Sequence, residues 1–461
     1  MKAFDRENSV WARFSEEQRL EMEEYSKKYR HFLDTARTER LANKEIIRQA
    51  ETAGFKPLHD YTTLKAGDKV YWNQKGKSVI LAVIGTEPVA QGMKIVGSHI
   101  DCPRLDLKAM PVAEKNGIVY FKTHYYGGLL KYQWVCLPLS LIGVVYTADG
   151  RRIDVSIGED PDDPVFFIND LLPHLGKDQA AKKLSEAISG EMLMPLVGTN
   201  SEEEKTKPAV LELLKKKYGI EEEDFASAEL EIIPAIKSRD VGLDRSMIMS
   251  HGHDDRVCSY GNLAAILTAH AGTKTQVALF ADKEEIGSVG NTGVHSAFFP
   301  DFVAELLALQ GHTEELWLRR TMRNSQVLSA DVCAALDPVF ADAYEETNAA
   351  RLGYGICLCK YTGARGKAGS NDANAEFLSQ VRQIFNAADV PWQIGELGKV
   401  DQGGGGTIAY IMADWGCDVV DCGVAMHSMH APLEIVAKSD AYSGYLAYKA
   451  FFESKDRKSV V

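Results

Sequence analysis

The sequence predicts an α/β protein interrupted by a β-rich insertion, and three observations carry that reading. Ser78 to Ile84 and Met93 to His99 are strand-like and nearly all apolar, as strands buried on both faces of an α/β sheet are. From about Leu105 to Ile157 the texture changes to short β-rich runs separated by the turn signals Lys115-Asn116-Gly117 and Asp149-Gly150, the pattern of an antiparallel domain. From about Ala235 the α/β texture returns. The expected division is therefore 1–105, an inserted 106–235, and 236–461.

The elements follow in chain order. Ser15-Glu16-Glu17-Gln18 reads as an N-cap with an acidic first turn. Leu20, Met22, Tyr25, Tyr29, Phe32 and Leu33 then recur at helical spacing, and Leu41 to Ala53 continues the pattern up to Gly54, predicting a long helix. Val70-Tyr71-Trp72 is a strand, as are Gly117 to Phe121, Leu139 to Tyr146 and Arg152 to Val155. Residues 176–225 are charged and helix-prone, and the runs Glu202 to Lys207 and Glu221 to Asp224 read as solvated. Helices are expected at Gly261 to Ala271, Asp301 to Leu309 and Ala373 to Ala387. Strands are expected at Gln276 to Ala281, Val327 to Ala330 and Val419 to Val424.

Composition narrows the function. The 461 residues are 45% hydrophobic and 25% charged, the ordinary globular range. Asp+Glu exceed Lys+Arg by 65 to 52, a net charge of −13, so neither nucleic acid nor an anionic membrane is an expected partner. The longest apolar run, Trp134 to Tyr146, contains Pro138, Ser140 and Gly143 and is too short to span roughly 30 Å of hydrocarbon. Met1 to Asn8 has no apolar stretch, so no secretory signal is expected. The eight cysteines include no CxxC pair, which points to reduced thiols in a cytoplasmic protein.

Five segments concentrate His, Asp and Glu at apparent strand ends: Gly97-Ser98-His99-Ile100-Asp101, His253-Asp254-Asp255-Arg256, Asp282-Lys283-Glu284-Glu285-Ile286-Gly287, Ser329-Ala330-Asp331, and Met426-His427-Ser428-Met429-His430. Each alone has an ordinary reading as a cap, a surface turn or a satisfied histidine. Open α/β sheets, however, bind ligands at the carboxyl ends of their strands, so five such ends suggest one converging site. Imidazole and carboxylate without thiolate suit catalytic zinc, or Mn or Co. His99 suits one ion, and Asp101 points the same way and can orient its ring. Of Glu284 and Glu285, one can bind metal while the other acts as general base. Asp254 can bridge two ions. Gly403 to Gly406 lacks the Lys of a phosphate-binding loop and reads as backbone approaching a substrate. No Gly-x-Ser-x-Gly elbow is present. Another dinuclear amidohydrolase, such as a deacylase, is the rival within enzymes, and a metal-binding scaffold that has lost catalysis is the rival outside them.

Taken in order, Gly97 to Arg104, His253 to Ser259, Asp282 to Ser288, Ser329 to Val332 and Ser428-Met429-His430 resemble the M18 metallopeptidase family, the aspartyl aminopeptidase and vacuolar aminopeptidase I type, over nearly the whole chain. The resemblance implies a two-zinc exopeptidase that removes N-terminal residues from peptides. It implies that His99 and Asp331 hold one ion, Glu285 and His430 the other, that Asp254 bridges them, and that Glu284 is the base with Asp101 behind the ligands. His430 is preferred to His427 on its following Ala431-Pro432-Leu433-Glu434. The implied fold is a catalytic α/β domain with a mixed sheet flanked by helices and an inserted dimerisation domain. The implied assembly is a homo-oligomer, dimers building a tetrahedral dodecamer. Phe166 to Leu175 resembles the segment that sends a histidine into the neighbouring subunit's site, which makes His174 the candidate. Lys360 to Lys367 and the glycine run look more like the bacterial and aminopeptidase I branch than the animal aspartyl branch.

Overall fold

The computed structural model describes residues 8–199 and 205–455, and part of the charge run after Glu202 lies outside the described residues. The chain divides into two compact units. One comprises Met1–Asp101, Ser238–Met429 and Glu434–Val461, and the other Cys102–Lys237 with His430–Leu433.

In the first unit the expected N-terminal helix is two helices, Glu16–Thr35 and Glu39–Thr52. Ser15 closes a full capping box: its Oγ accepts from Gln18 N at 3.2 Å, and Gln18 Oε1 accepts from Ser15 N at 2.9 Å. The break arises because Thr38 caps the second helix, its hydroxyl accepting from Leu41 N. Met22, Tyr25, Tyr29, Phe32 and Leu33 form the buried stripe that their spacing predicts.

The nine-stranded sheet runs in the order Lys56–Pro57, Lys69–Gln74, Ser78–Val83, Thr275–Ala281, Met93–His99, Gln326–Ser329, Asp418–Gly423, Ile356–Cys359, Trp392–Ile394. Its four middle strands are parallel, while Ser78–Val83 and Ile356–Cys359 join them antiparallel, so the sheet is mixed. Alternate residues feed two cores. Val79, Leu81 and Val83 pack with helices His253–Thr268 and Lys438–Glu453. Ile80, Ala82 and Ile84 pack with Phe298–Ala308 and Ala409–Asp414. The period of two along each strand thus places helices on both faces. The helix expected from Gly261 begins earlier, at His253. A five-stranded sheet, Arg239–Val241, Met247–Ser250, Glu434–Ala437, Ala425–His427 and Cys333–Ala334, completes this unit.

The second unit is an antiparallel sheet that closes on itself. Ala228–Pro234 pairs with Arg104–Lys115 at one end of the strand order and with Pro138–Tyr146 near the other. Leu105, Phe121, Trp134, Leu139 and Ile232 fill its core. Closure satisfies edges that an open sheet would leave bare.

At the start of helix Lys438–Glu453, the buried Asp440 carboxylate accepts from Gly353 N at 2.7 Å and Gly355 N at 2.8 Å. Asp440→Ala leaves two buried donors without this acceptor and is expected to cost about 2 kcal/mol or more. Urea denaturation measures this, and an unchanged midpoint contradicts it.

Candidate metal centre

Parallel strands deliver the site. His99 ends its strand in register with Ala281, and Ser329 stands opposite Gly97. The chain therefore leaves three adjacent strands at one level, carrying His99 and Asp101, Glu284 and Glu285, and Asp331 to the carboxyl edge of the sheet. Asp254 arrives from the first turn of helix His253–Thr268, where the backbone at Asp254 (φ −78°, ψ 105°) and Asp255 (φ −116°, ψ 32°) is not helical.

His99 is buried and central. Its Nδ1 lies 3.2 Å from Asp101 Oδ1 and 3.1 Å from the Asp101 carbonyl, so Nδ1–H donates there and Nε2 is the nitrogen available to a cation. Nε2 faces Asp254 Oδ1 at 3.2 Å, Asp331 Oδ1 at 3.7 Å and Glu284 Oε2 at 3.9 Å. Two sets of ligand atoms lie within 4.8 Å of one another: His99, Glu284 and Asp331, and His99, Asp254 and Glu285. Asp101 also accepts from the backbone N–H groups of Glu284 and Glu285, each at 3.2 Å. These sit in a tight turn, Glu284–Ile286, entered through Lys283 at φ +68°.

The electrostatics are those of crowded carboxylates. Burial, then the charge of Asp331, holds Glu284 well above the usual carboxylate range, and burial, then Asp254, does the same to Glu285. Burial also raises Asp331. Burial pushes the His99 imidazole down, but hydrogen bonds to Asp101, Asp254 and Asp331 outweigh it and hold the ring well above its usual range. A hard or borderline cation relieves this repulsion, and an imidazole with carboxylates and no thiolate is a donor set that fits zinc.

Of the residues expected at the site, His99, Asp101, Asp254, Glu284, Glu285 and Asp331 come together in the first unit. His430 belongs to the second unit, where its Nδ1 lies 2.5 Å from the Gly128 carbonyl, and the tautomer that donates there carries its lone pair on Nε2. His174 is exposed in a turn of that unit, Pro173–Leu175. His253 and His427 are engaged elsewhere: His253 with Tyr29 and the Ile248 carbonyl, His427 with the Leu336 carbonyl. Sequence reading missed Glu434, whose Oε2 accepts from Asp254 N at 3.1 Å, and Asp255, whose Oδ2 accepts from His99 N at 3.2 Å. Asp255 was visible beside Asp254, and Glu434 closed the run after His430, but neither segment shows the contact that each makes.

The glycine run departs from expectation. A Cβ on Gly403 would fall 1.5 Å from the Leu397 carbonyl oxygen, and one on Gly404 (φ +136°) 2.1 Å from that of Gly363. Gly363 N donates to Gly405 O at 2.6 Å. The close approach that Gly403 and Gly404 permit is to the chain's own backbone, whereas a Cβ on Gly405 or Gly406 would meet nothing nearer than 3.5 Å. Thr407, which follows, donates to Asp421 Oδ1 at 2.6 Å and lies 3.3 Å from Ser329 Oγ.

An α/β sheet with an imidazole–carboxylate cluster at its carboxyl edge defines a metal-dependent hydrolase. A family profile described as aminopeptidase I zinc metalloprotease (M18) matches residues 32–452. A probable M18 family aminopeptidase 1 of Clostridium acetobutylicum is 47% identical over 455 residues, covering 97% of this chain and 98% of that one. The crystal structure of an M18 aminopeptidase from Thermotoga maritima superposes with a TM-score of 0.93 at 45% identity, covering 96% of this chain and 98% of that one. A yeast aminopeptidase structure titled as a dodecamer, 19% identical with a TM-score of 0.74, shares the fold over 92% of this chain and 95% of that one. The chain belongs to the M18 family and is a metalloaminopeptidase.

The His99, Glu285 and Asp331 side chains are all shifted toward their protonated forms, and a metal ligand must be deprotonated. Zinc affinity is therefore expected to rise with pH and proton release to accompany binding. Calorimetric titration in buffers of different ionisation enthalpy reads both. An affinity unchanged between about pH 6 and about pH 8 contradicts the expectation.

Proposed function

We propose that this aminopeptidase holds two zinc ions per subunit, with Mn or Co as alternatives, and uses Glu284 as general base to hydrolyse the N-terminal peptide bond of peptides with a free α-amine. The observation that carries the reading is the pair of ligand sets meeting at His99, one with Glu284 and Asp331 and one with Asp254 and Glu285; within the first set Glu284 is read as the base rather than as a ligand. His99 and Asp331 hold one ion, Glu285 and His430 the other, and Asp254 bridges. Bound zinc supplies Lewis acidity, which acidifies water and polarises a carbonyl. Glu284 takes a proton from the attacking water on a carboxylate oxygen and returns it to the leaving amine. Asp101 keeps His99 Nδ1 protonated and its ring fixed, and through the N–H groups of Glu284 and Glu285 it sets the base against the ligands. The setting is cytoplasmic, in keeping with eight cysteines none of which is in a disulfide and with no helix among the described residues long and apolar enough to cross a membrane.

The proposed assembly is a dimer that builds a tetrahedral dodecamer through residues 106–235, supported by the yeast relative's dodecamer. Closure of the second unit's sheet pairs most of its strands, and Arg152–Ile157, which among the described residues pairs only with Pro138–Tyr146, keeps one open edge. Exposed apolar side chains on one segment, Val165, Phe167, Leu171, Leu172 and Leu175, supply a further reason for a partner. His174 lies within that segment and is proposed to reach the partner's site, where it meets the carbonyl oxygen of the scissile bond.

Glu284→Gln is expected to keep its zinc while kcat falls at least ~10²-fold, whereas Asp254→Ala loses zinc and activity together. Elemental analysis beside the assay separates the two, and a near-normal Glu284→Gln rate would overturn the base assignment. Mixing His174→Ala subunits with Glu284→Gln subunits is expected to restore part of the activity, because one mixed arrangement has an intact base and an intact partner histidine. No recovery after verified subunit exchange, or an active monomer by light scattering, counts against the shared site.

A further inference from the structure

The backbone that presents Asp254 is non-helical at Asp254 and Asp255 and is spanned by a main-chain bond from Arg256 N to the Gly252 carbonyl at 3.3 Å, so side chains share in holding it. Two anchors are close to the carboxylates themselves: Glu434 accepts from Asp254 N, and Asp255 accepts from His99 N. The third comes from the N-terminal helix. His253, the residue before Asp254, is fully buried with both ring nitrogens engaged. Nε2 lies 3.1 Å from the Ile248 carbonyl, which can only accept, so Nε2 carries the hydrogen. Nδ1 is then the acceptor, and the Tyr29 hydroxyl, 2.6 Å away, is its donor. The Tyr29 ring is itself fixed, stacked on Tyr260 at 5.4 Å and 25° and beside Tyr25 at 6.5 Å and 27°.

We infer that Tyr29 is a positioning residue for the metal centre: through His253 it sets the backbone from which Asp254 reaches the metal. The inference rests on the two-zinc reading above. It makes the N-terminal helix part of the machinery, although Tyr29 lies 225 positions before Asp254 and itself ligates nothing. Losing the hydroxyl leaves a buried imidazole nitrogen without its donor, and the ring turns or the local backbone shifts to satisfy it. Groups standing behind metal ligands are worth about 10- to 100-fold in metal affinity.

Tyr25 provides the control. It lies one turn away on the same helix and in the same ring stack, and its hydroxyl is buried with no hydrogen-bond partner. Tyr29→Phe and Tyr25→Phe therefore make the same chemical change in the same packing, but only the first cuts a bond leading to Asp254. Zinc affinity, measured by competition with a chromogenic chelator at fixed pH, is expected to fall about 10-fold or more in Tyr29→Phe and to stay within about two-fold in Tyr25→Phe. The visible absorption bands of the cobalt-substituted proteins are expected to shift in Tyr29→Phe alone. His253→Asn breaks the same anchor at the Ile248 end and is expected to lose affinity too, so the inference stays testable if Tyr29→Phe does not fold. Wild-type affinity in Tyr29→Phe or in folded His253→Asn, or an equal loss in Tyr25→Phe, overturns it. A wild-type protein that takes up no zinc would instead overturn the reading on which it rests.

Discussion

The Asp101 carboxylate accepts from His99 Nδ1 on one strand and from the backbone N–H groups of Glu284 and Glu285 on the loop after the next, and the centre depends on that junction. Carboxylates gathered round one buried imidazole repel one another, and in a low-dielectric interior that repulsion is large. A flexible edge would relieve it by splaying. Here the sheet register fixes where each strand ends, and Asp101 ties two of those ends together. The strand itself is held from the neighbouring helix: Ser259 Oγ donates to the His99 carbonyl at 2.6 Å, and Asn262 Nδ2 to the Val96 carbonyl at 2.9 Å.

That rigidity has its origin in the middle of the sheet. Met93–His99 lies between Thr275–Ala281 and Gln326–Ser329, parallel to both, and is buried along its length. Its two neighbours contribute the other carboxylates. The helix that carries Asp254 packs on the same sheet, with Val257, Leu263 and Ile266 in the core beside Val96 and Phe280. The candidate site's side chains thus stand on short loops whose ends are set by the buried middle of the sheet.

Much of this was legible in the chain itself. Apolar runs gave the central strands, because burial on both faces leaves no place for polar residues, and the acidic and histidine segments stood out because five of them fall at the same kind of strand end. What was illegible was contact between distant segments. Nothing near Glu434 says that its carboxylate caps Asp254 N, and nothing in the helical stripe Met22 to Leu33 distinguishes Tyr29, with a partner for its hydroxyl, from Tyr25, which has none. The break at Ala36 was missed because the apolar spacing runs on across it, although Thr38 is a capping residue. Closure of the second sheet was invisible because it depends on Ala228–Pro234 returning across more than a hundred residues to pair with Arg104–Lys115.

The glycine run between Leu397 and Thr407 has a mechanical role. A four-glycine stretch looks like slack, yet here the main chain itself is the packing surface, laid against Leu397, Gly363 and Ala364 with no room for a methyl group at its first two positions. Thr407 ends the run and reaches both Asp421 and Ser329, two residues before Asp331. The first half of the stretch is therefore packed rather than slack, and the part of the sequence that looks most open to insertion sits one hydrogen bond from the strand that leads to Asp331.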